Sequence, residues 1–418
     1  MRKSLSIFII YYIISVAPCL SQNIDNQKYW HNKERTLRYQ PDGGDFVIIN
    51  GNHRFNRALY GTNTAFRVEA GDLPEFALYM PGMGGNFRFG LMTANGSKWL
   101  IKADKIIARY RPGSMIYNIT DSLLGKGRLL ITVLAMADAE GAVVKAEFID
   151  VPEKTNQFWA FGGASGGKFS RDGDLNVDPE SSFYLKPENC KTDMFEIQNN
   201  SFTMYYGGGK VLSESERYEI QYPNAKPAPD SSQNKSKENK KQLIGLVPPG
   251  SLIKVADANQ LEAPFKLLES QGTSMPVMAG KIEATSGKEL YFIIQNPEGT
   301  AKLPLDYADA PKLFDKAEAS RKVLAGRIKV ETPDPYINTL GGTLGIAADA
   351  IWEYPTFLHG AIGWRMRLNG WRGPYTGDPL GWHDRSRTHF NAYAKSQVLK
   401  PDSGPSVPDP DKNLSRQE

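Results

Sequence analysis

The run RLLITVLAMAD, residues 128–138, is apolar at nearly every position, and ELYFIIQN at 289–296 repeats the pattern. Successive side chains of a strand point to opposite faces, so a strand with one wet face alternates apolar and polar residues. Runs without alternation read as strands buried on both sides. Elsewhere the alternation is present. In SKWLIKAD (97–104), Trp99, Ile101 and Ala103 alternate with Lys98, Leu100, Lys102 and Asp104; in VVKAEFID (143–150), Val144, Ala146 and Phe148 alternate with Lys145 and Glu147. Each reads as a strand with one side toward solvent. A sheet covered on both faces implies a second sheet stacked on it.

Turn chemistry separates the strands: PDGGD at 41–45, PGMGGN at 81–86, LGKGR at 124–128 and YGGGK at 206–210. The pattern holds from about residue 36 to 306 and predicts a mainly β chain, with a large antiparallel β-sandwich over residues 28–306. Within it, AKPAPDSSQNKSKENKKQ (225–242) has no aromatic or branched aliphatic residue. Such a segment buries too little to offset the entropy of ordering, so a flexible insertion is expected. The tail KPDSGPSVPDPDKNLSRQE (400–418) has the same character and is expected to be disordered.

The period changes near residue 310. Leu313, Phe314, Ala317, Val323 and Leu324 fall at helical spacing with charges between them, predicting a linker helix within 307–330. In VETPDPYINTLGGTLGIAADAIW (330–352), Thr332 can cap a helix and Pro333 can occupy its first turn. Ile337, Leu340, Leu344, Ala347 and Ile351 then recur at three- and four-residue steps. Gly341, Gly342 and Gly345 weaken this helix in isolation, so it must be held by packing, and they permit close approach to a neighbour. A further helix is predicted from Asp384 to Val398, within a helical region spanning 331–399.

Composition excludes some classes of function. The net charge of +4 is spread thinly over 418 residues, whereas a nucleic-acid face needs clustered Lys and Arg. The N-terminus, MRKSLSIFIIYYIISVAPCLSQN, reads as a secretory signal over residues 1–21: Arg2 and Lys3 precede an apolar stretch, Leu5 to Val16, and a small-residue exit. That stretch is too short to span a bilayer, so no transmembrane segment is expected. Cys19 follows Pro18 where a lipidation site carries a small residue, which favours a cleaved signal over a lipid anchor and a periplasmic or secreted product. Cleavage leaves Cys190 alone, so stability must come from a core rather than from an internal disulfide.

Several motifs fail on inspection. GGASGGKFS (162–170) has Gly162, Gly167 and Lys168 at phosphate-loop spacing, but Phe169 stands where the metal-holding hydroxyl belongs. RDGDLNVDPE (171–180) groups Asp172, Asp174 and Asp178 without the ligand spacing of a calcium loop. His383 and His389, six apart, lie about 240° from each other around a helix and cannot share a metal from one face. No cofactor or metal is expected.

One segment is chemically dense. Between them, WEYPTFLH (352–359) and GAIGWRMRLNGWRGPYTGDPLGWHDRSRTHF (360–390) hold four of the seven tryptophans and three of the five histidines. Sugars present C–H patches bordered by hydroxyls, so a site for them wants flat aromatic surfaces rimmed by donors and acceptors. Trp364, Trp371, Tyr375 and Trp382 supply surfaces; Asp378, His383, Asp384 and Arg385 supply the rim. Interface packing between domains would use the same residue types. Lone His359 reads as structural, and His389 as sitting on a helix flank. The carboxylates near the loop are Glu353, Asp378 and Asp384, and Asp378 and Asp384 are the candidates for any catalytic role.

A strand-rich domain, a linker helix, the helix start TPDPYINTLGG and the loop FLHGAIGWRMRLNGWRGPYTGDPLGWHDRSRTHF together resemble secreted six-hairpin glycosidase-like proteins of bacterial polysaccharide-utilisation systems. The resemblance implies a sandwich domain of unassigned function followed by an (α/α)6 toroid of the α-L-rhamnosidase-like type, and a polysaccharide or oligosaccharide as partner. A toroid of twelve helices needs on the order of 200 residues, whereas 86 remain from 333 to 418. The chain is therefore expected to match the N-terminal portion of a glycoside hydrolase-like enzyme, with the rest of the helical portion as a further partner. The alternatives are a non-catalytic carbohydrate-binding or partner-docking module and a nonfunctional fragment.

Overall fold

In the computed structural model the unalternating strands occupy the middle of a ten-stranded sheet. Its strands run, edge to edge, Asp193–Gln198, Ser201–Tyr206, Gln242–Leu246, Glu289–Gln295, Gly141–Ile149, Arg128–Ala135, Ser114–Thr120, Lys105–Arg111, Asp45–Ile49 and Gln40–Asp42. The second sheet has the order Leu252–Asp257, Pro276–Glu283, Asn156–Gly162, Met83–Thr93, Glu75–Met80, Arg67–Ala70 and Arg57–Leu59, with Gly96–Trp99 also paired to Met83–Thr93. Neighbours such as Arg128–Ala135 and Gly141–Ile149 are antiparallel, in register Val133↔Val144. The structure describes residues 29–30, 33–34, 38–80, 83–163, 183–206, 242–271, 274–297, 306–362, 365–368 and 370–395. The expected signal sequence (1–21), nearly all of the expected flexible insertion (225–242), most of GGASGGKFS, RDGDLNVDPE and the tail from 400 lie outside them. Met1–Gln40 form one unit, in which Tyr29–Trp30 pairs with Lys33–Glu34, and Pro41–Glu418 form the other.

The two sheets enclose one core. Leu129, Ile131, Val133, Val144, Ala146, Phe148 and Phe292 face Phe76, Phe87, Phe89, Trp159 and Phe161. Phe89 meets Phe292 edge to face at 5.2 Å, and Trp159 stacks on Phe202 at 5.7 Å. The opposite face of the central strands explains their missing alternation. Leu134, Val143, Tyr291 and Ile293 are covered by Ala310, Phe314 and Ala317 of the linker helix, Ala310–Ala325. A helix, not a further sheet, seals the outer side.

Three local expectations change. SKWLIKAD is a strand only to Trp99 and then turns through a 3-10 segment at Leu100–Lys102. Trp99 and Leu100 are both buried, and the Trp99 indole donates to the Leu261 carbonyl at 2.8 Å, so the chain bends to bury consecutive side chains. The following helix spans Pro335–Ala350 and is capped by Asp334, whose carboxylate accepts from the Tyr336 amide, not by Thr332. Thr332 binds Asn338 instead, at 2.9 Å.

The third change concerns which face of that helix is buried. Ile337, Leu340 and Leu344 are exposed, as is Val323 on the linker helix. The packed side carries the glycines: a Cβ on Gly345 would lie 2.4 Å from the Leu324 carbonyl oxygen. Backbone-to-backbone contact leaves no room for the large side chains, so the leucines fall on the next face round. Arg321 locks the linker helix to the sheet, donating to the Pro112 carbonyl at 2.8 Å while paired with Glu318 at 2.6 Å.

A buried carboxyl opens the edge strand Asp193–Gln198. Asp193 is 3% exposed, and burial pushes its carboxyl up to about 9, opposed by the Gly163 amide. Between pH about 4 and 9 the folded chain keeps a proton that the unfolded chain has released, so stability falls as pH rises.

Two predictions follow from these contacts. Gly345→Ala should cost about 1–3 kcal/mol of stability through overpacking, while Leu340→Gln should stay within about 0.5 kcal/mol; thermal or denaturant melts that reverse this order would refute the packing described. Asp193→Asn should flatten the fall in melting temperature between pH 5 and pH 8 and leave the variant more stable than the parent at pH 8. Parallel curves for the two proteins would show that Asp193 is not a buried acid.

Candidate functional site

The dense segment is built around the last described helix, His383–Lys395. Asp384 lies in its first turn, where a negative charge complements the helix dipole. Before it, Trp352–Glu353 and Thr356–Phe357 form a two-residue hairpin, and Leu358 bridges to Arg367. His389 joins hairpin to helix. Its ring is fully buried, its Nδ1 accepts from the Phe357 amide at 3.0 Å, and it packs on Tyr393 at 5.0 Å. This corrects the flank position read from sequence: His389 faces inward. Gly373 makes the packing possible, because a Cβ there would come 2.5 Å from the imidazole. His359 is exposed, with its amide bonded to the Met366 carbonyl at 2.9 Å.

A stack of rings and guanidiniums fixes the base of the site. Arg327 lies 4.7 Å from the Trp382 ring centroid and Arg385 4.4 Å from it. Arg385 is also 5.6 Å from Trp352, which meets Phe357 at 4.8 Å. Arg327 donates to the Leu380 carbonyl at 2.6 Å, and Arg385 pairs with Asp349 at 2.7 Å. Asp349 in turn accepts from Asn63, a loop residue of the sandwich, at 3.3 Å, and its backbone carbonyl accepts from the same amide at 3.1 Å. The sandwich thus orients the helix end that holds Arg385. Glu353 is paired with Arg365, which also donates to the Ala361 carbonyl at 2.8 Å.

The residues singled out in the sequence divide into two groups. Trp382 is buried beneath its arginines, and Arg385 is committed to Asp349. Neither residue therefore lies on the exposed surface: the indole is buried against two guanidiniums, and one of these pairs with Asp349. Trp371 and Tyr375, by contrast, are 56% and 71% exposed and meet edge to face at 5.5 Å. Arg372 stacks on Trp371 at 5.1 Å. A continuous run of turns, the short helix Pro374–Gly377 and the 3-10 segment Asp378–Leu380 carries Trp371, Tyr375 and Asp378 at four- and three-residue steps. That spacing sets them along one side.

Asp378 bonds His383 at 3.2 Å, both exposed. The Ser386 hydroxyl and then His383 hold the Asp378 carboxyl below the usual carboxylate range. This is the wrong direction for a general acid, which must keep its proton near neutral pH. Asp384 is exposed, 3.5 Å from Arg387. Trp364 lies outside the described residues. Sequence reasoning missed Asn63, Arg327 and Asp349. Asp349, a lone acid in an otherwise uncharged helix, was a signal; for Asn63, 286 positions away, there was none. Among the described residues no three His, Cys, Asp or Glu side chains come together as a metal site requires, and no helix is long and apolar enough to cross a membrane.

The fold and site define an antiparallel β-sandwich protein whose C-terminal helices carry an aromatic loop. The chain belongs to the DUF4450 family, a domain of unknown function, which matches residues 80–318, more than half of its length. The aromatic loop lies beyond that match. No curated protein matches the sequence. Among solved structures, the chain is similar to a family GH92 inverting mannosidase from Bacteroides thetaiotaomicron VPI-5482, with 11% identity and a TM-score of 0.39, covering 73% of this chain and 37% of that one. It is also similar to a bacterial glucoamylase complexed with acarbose, with 9% identity and a TM-score of 0.35, covering 73% and 44%. The chain spans less than half the length of either.

The division between buried and exposed tryptophans is testable by stability alone. Trp382→Ala should cost about 3–5 kcal/mol, and Trp371→Ala should stay within about 0.5 kcal/mol. Equal losses in denaturant titrations would contradict the burial described.

Proposed function

We propose that this is a carbohydrate-active protein of the periplasm or cell exterior, which recognises a polysaccharide or oligosaccharide through Trp371, Tyr375, Asp378 and His383. The exposed aromatic pair, in line with a hydrogen-bonded carboxylate and imidazole, carries the reading. Adjacent exposed aromatic rings rimmed by polar groups mark contact surfaces. Here they supply C–H stacking faces beside groups that bind hydroxyls. The likeness of residues 352–390 to six-hairpin glycosidase-like sequences supports the same substrate class, and the N-terminal apolar stretch supports export.

Recognition rather than bond cleavage is the role these residues can fill. Glycoside hydrolysis needs two carboxyl groups across the bond, one of them protonated. Ser386 and His383 hold the Asp378 carboxyl below the usual carboxylate range, Glu353 is paired with Arg365, and Asp384 stands exposed 3.5 Å from Arg387. If the chain functions as the N-terminal portion of a glycoside hydrolase, the acid comes from elsewhere.

Calorimetry or a glycan array with plant and host polysaccharides tests this. Binding is expected, weakened about tenfold by Trp371→Ala, with no release of reducing ends. Hydrolysis abolished by Asp378→Ala with Asp384→Ala would show that these carboxylates are catalytic. A folded protein that binds none of the glycans would remove the carbohydrate reading.

A further inference from the structure

The planes of Trp371 and Tyr375 cross at 71°. Resting on the carbohydrate reading above, we propose that the site selects a soluble glycan chain that turns between adjacent sugars, and rejects the flat faces of crystalline polysaccharides. Aromatic rings that serve a crystalline face must lie in one plane, because each ring stacks on the same flat layer of sugar C–H groups. With planes this far apart, only one of the two rings can lie on such a layer.

The angle is built into the local structure. Trp371 lies in the turn just before the short helix Pro374–Gly377 that carries Tyr375, and the two rings are in contact at 5.5 Å. Their edge-to-face contact favours the crossed arrangement, and the Arg372 guanidinium lies against the Trp371 ring. Rotating the two rings into one plane would break the edge-to-face contact. A chain whose successive sugars present differently oriented faces can stack one sugar on Trp371 and the next on Tyr375. Asp378, further along the same run, and His383, which opens the next helix and bonds Asp378 at 3.2 Å, then lie beside the chain to bond its hydroxyls.

The full chain would be titrated with soluble starch, xyloglucan and mannan oligosaccharides by calorimetry, and mixed with microcrystalline cellulose and crystalline chitin in sedimentation assays. Trp371→Ala, Tyr375→Ala and Tyr375→Phe serve as variants, with melting temperatures confirming that each is folded. Binding to a soluble glycan, about tenfold weaker in each alanine variant and kept in Tyr375→Phe, is expected, without cosedimentation. Cosedimentation at comparable affinity, or soluble binding indifferent to Tyr375→Ala, would overturn the selection of a turning chain while leaving sugar recognition standing. Absence of binding to every glycan, soluble or crystalline, would overturn both.

Discussion

Burial of the central strands of the ten-stranded sheet on both faces is the constraint on which the rest depends. Leu129, Ile131, Val133, Leu290, Phe292 and Ile294 supply one face to the core between the sheets. Leu134, Val143, Tyr291 and Ile293 supply the other to the linker helix. Removing apolar area from water is the main favourable term in folding, and strands that contribute from both sides contribute twice per unit length. They also fix the position of the helix, since Phe314 and Ala317 must sit on those side chains and no others. The described helices after Ala325 follow from that attachment and are also tied to the sandwich directly, through Asn63 and Asp349.

From there a relay of polar contacts sets the site. Gly345 lets the next helix lie against the linker helix, which brings Asp349 to the Asn63 amide. Asp349 holds Arg385, Arg385 and Arg327 cover Trp382, and the last helix is thereby held against the loop before it. These contacts consume the faces and charges of the buried members. The outer strip of Trp371, Tyr375, Asp378 and His383 stays exposed on that scaffold, open to the ligand proposed above. Separating support from contact in this way is how loops on a rigid frame come to hold binding groups.

The fold was legible because its signal is local. Continuous apolar runs at 128–138 and 289–296, alternation at 143–150 and the glycine turns each report on a strand's own surroundings. The site was legible only in outline. Residue type marked 352–390 as unusual, but the same tryptophan serves as a plug or a platform depending on what covers it. Trp382 and Trp371, eleven positions apart, took opposite roles because Arg327 and Arg385 reach only the first. The helix at Pro335–Ala350 misled in a similar way. Its leucine spacing named a face, yet Gly345 packed more closely and left Leu340 and Leu344 exposed.

By itself the sequence determined a mainly β sandwich, the place where helices begin, and the segment where chemistry is concentrated. These follow from side-chain periodicity and composition, which act over a few residues. Tertiary structure alone decided what seals the outer face of the central strands, which face of the glycine-rich helix is buried, and which aromatic rings meet solvent. Each of those depends on contacts between residues far apart in the chain, such as Asn63 with Asp349 or Arg327 with Trp382. Periodicity states that a side chain wants a partner; only the packed chain supplies one.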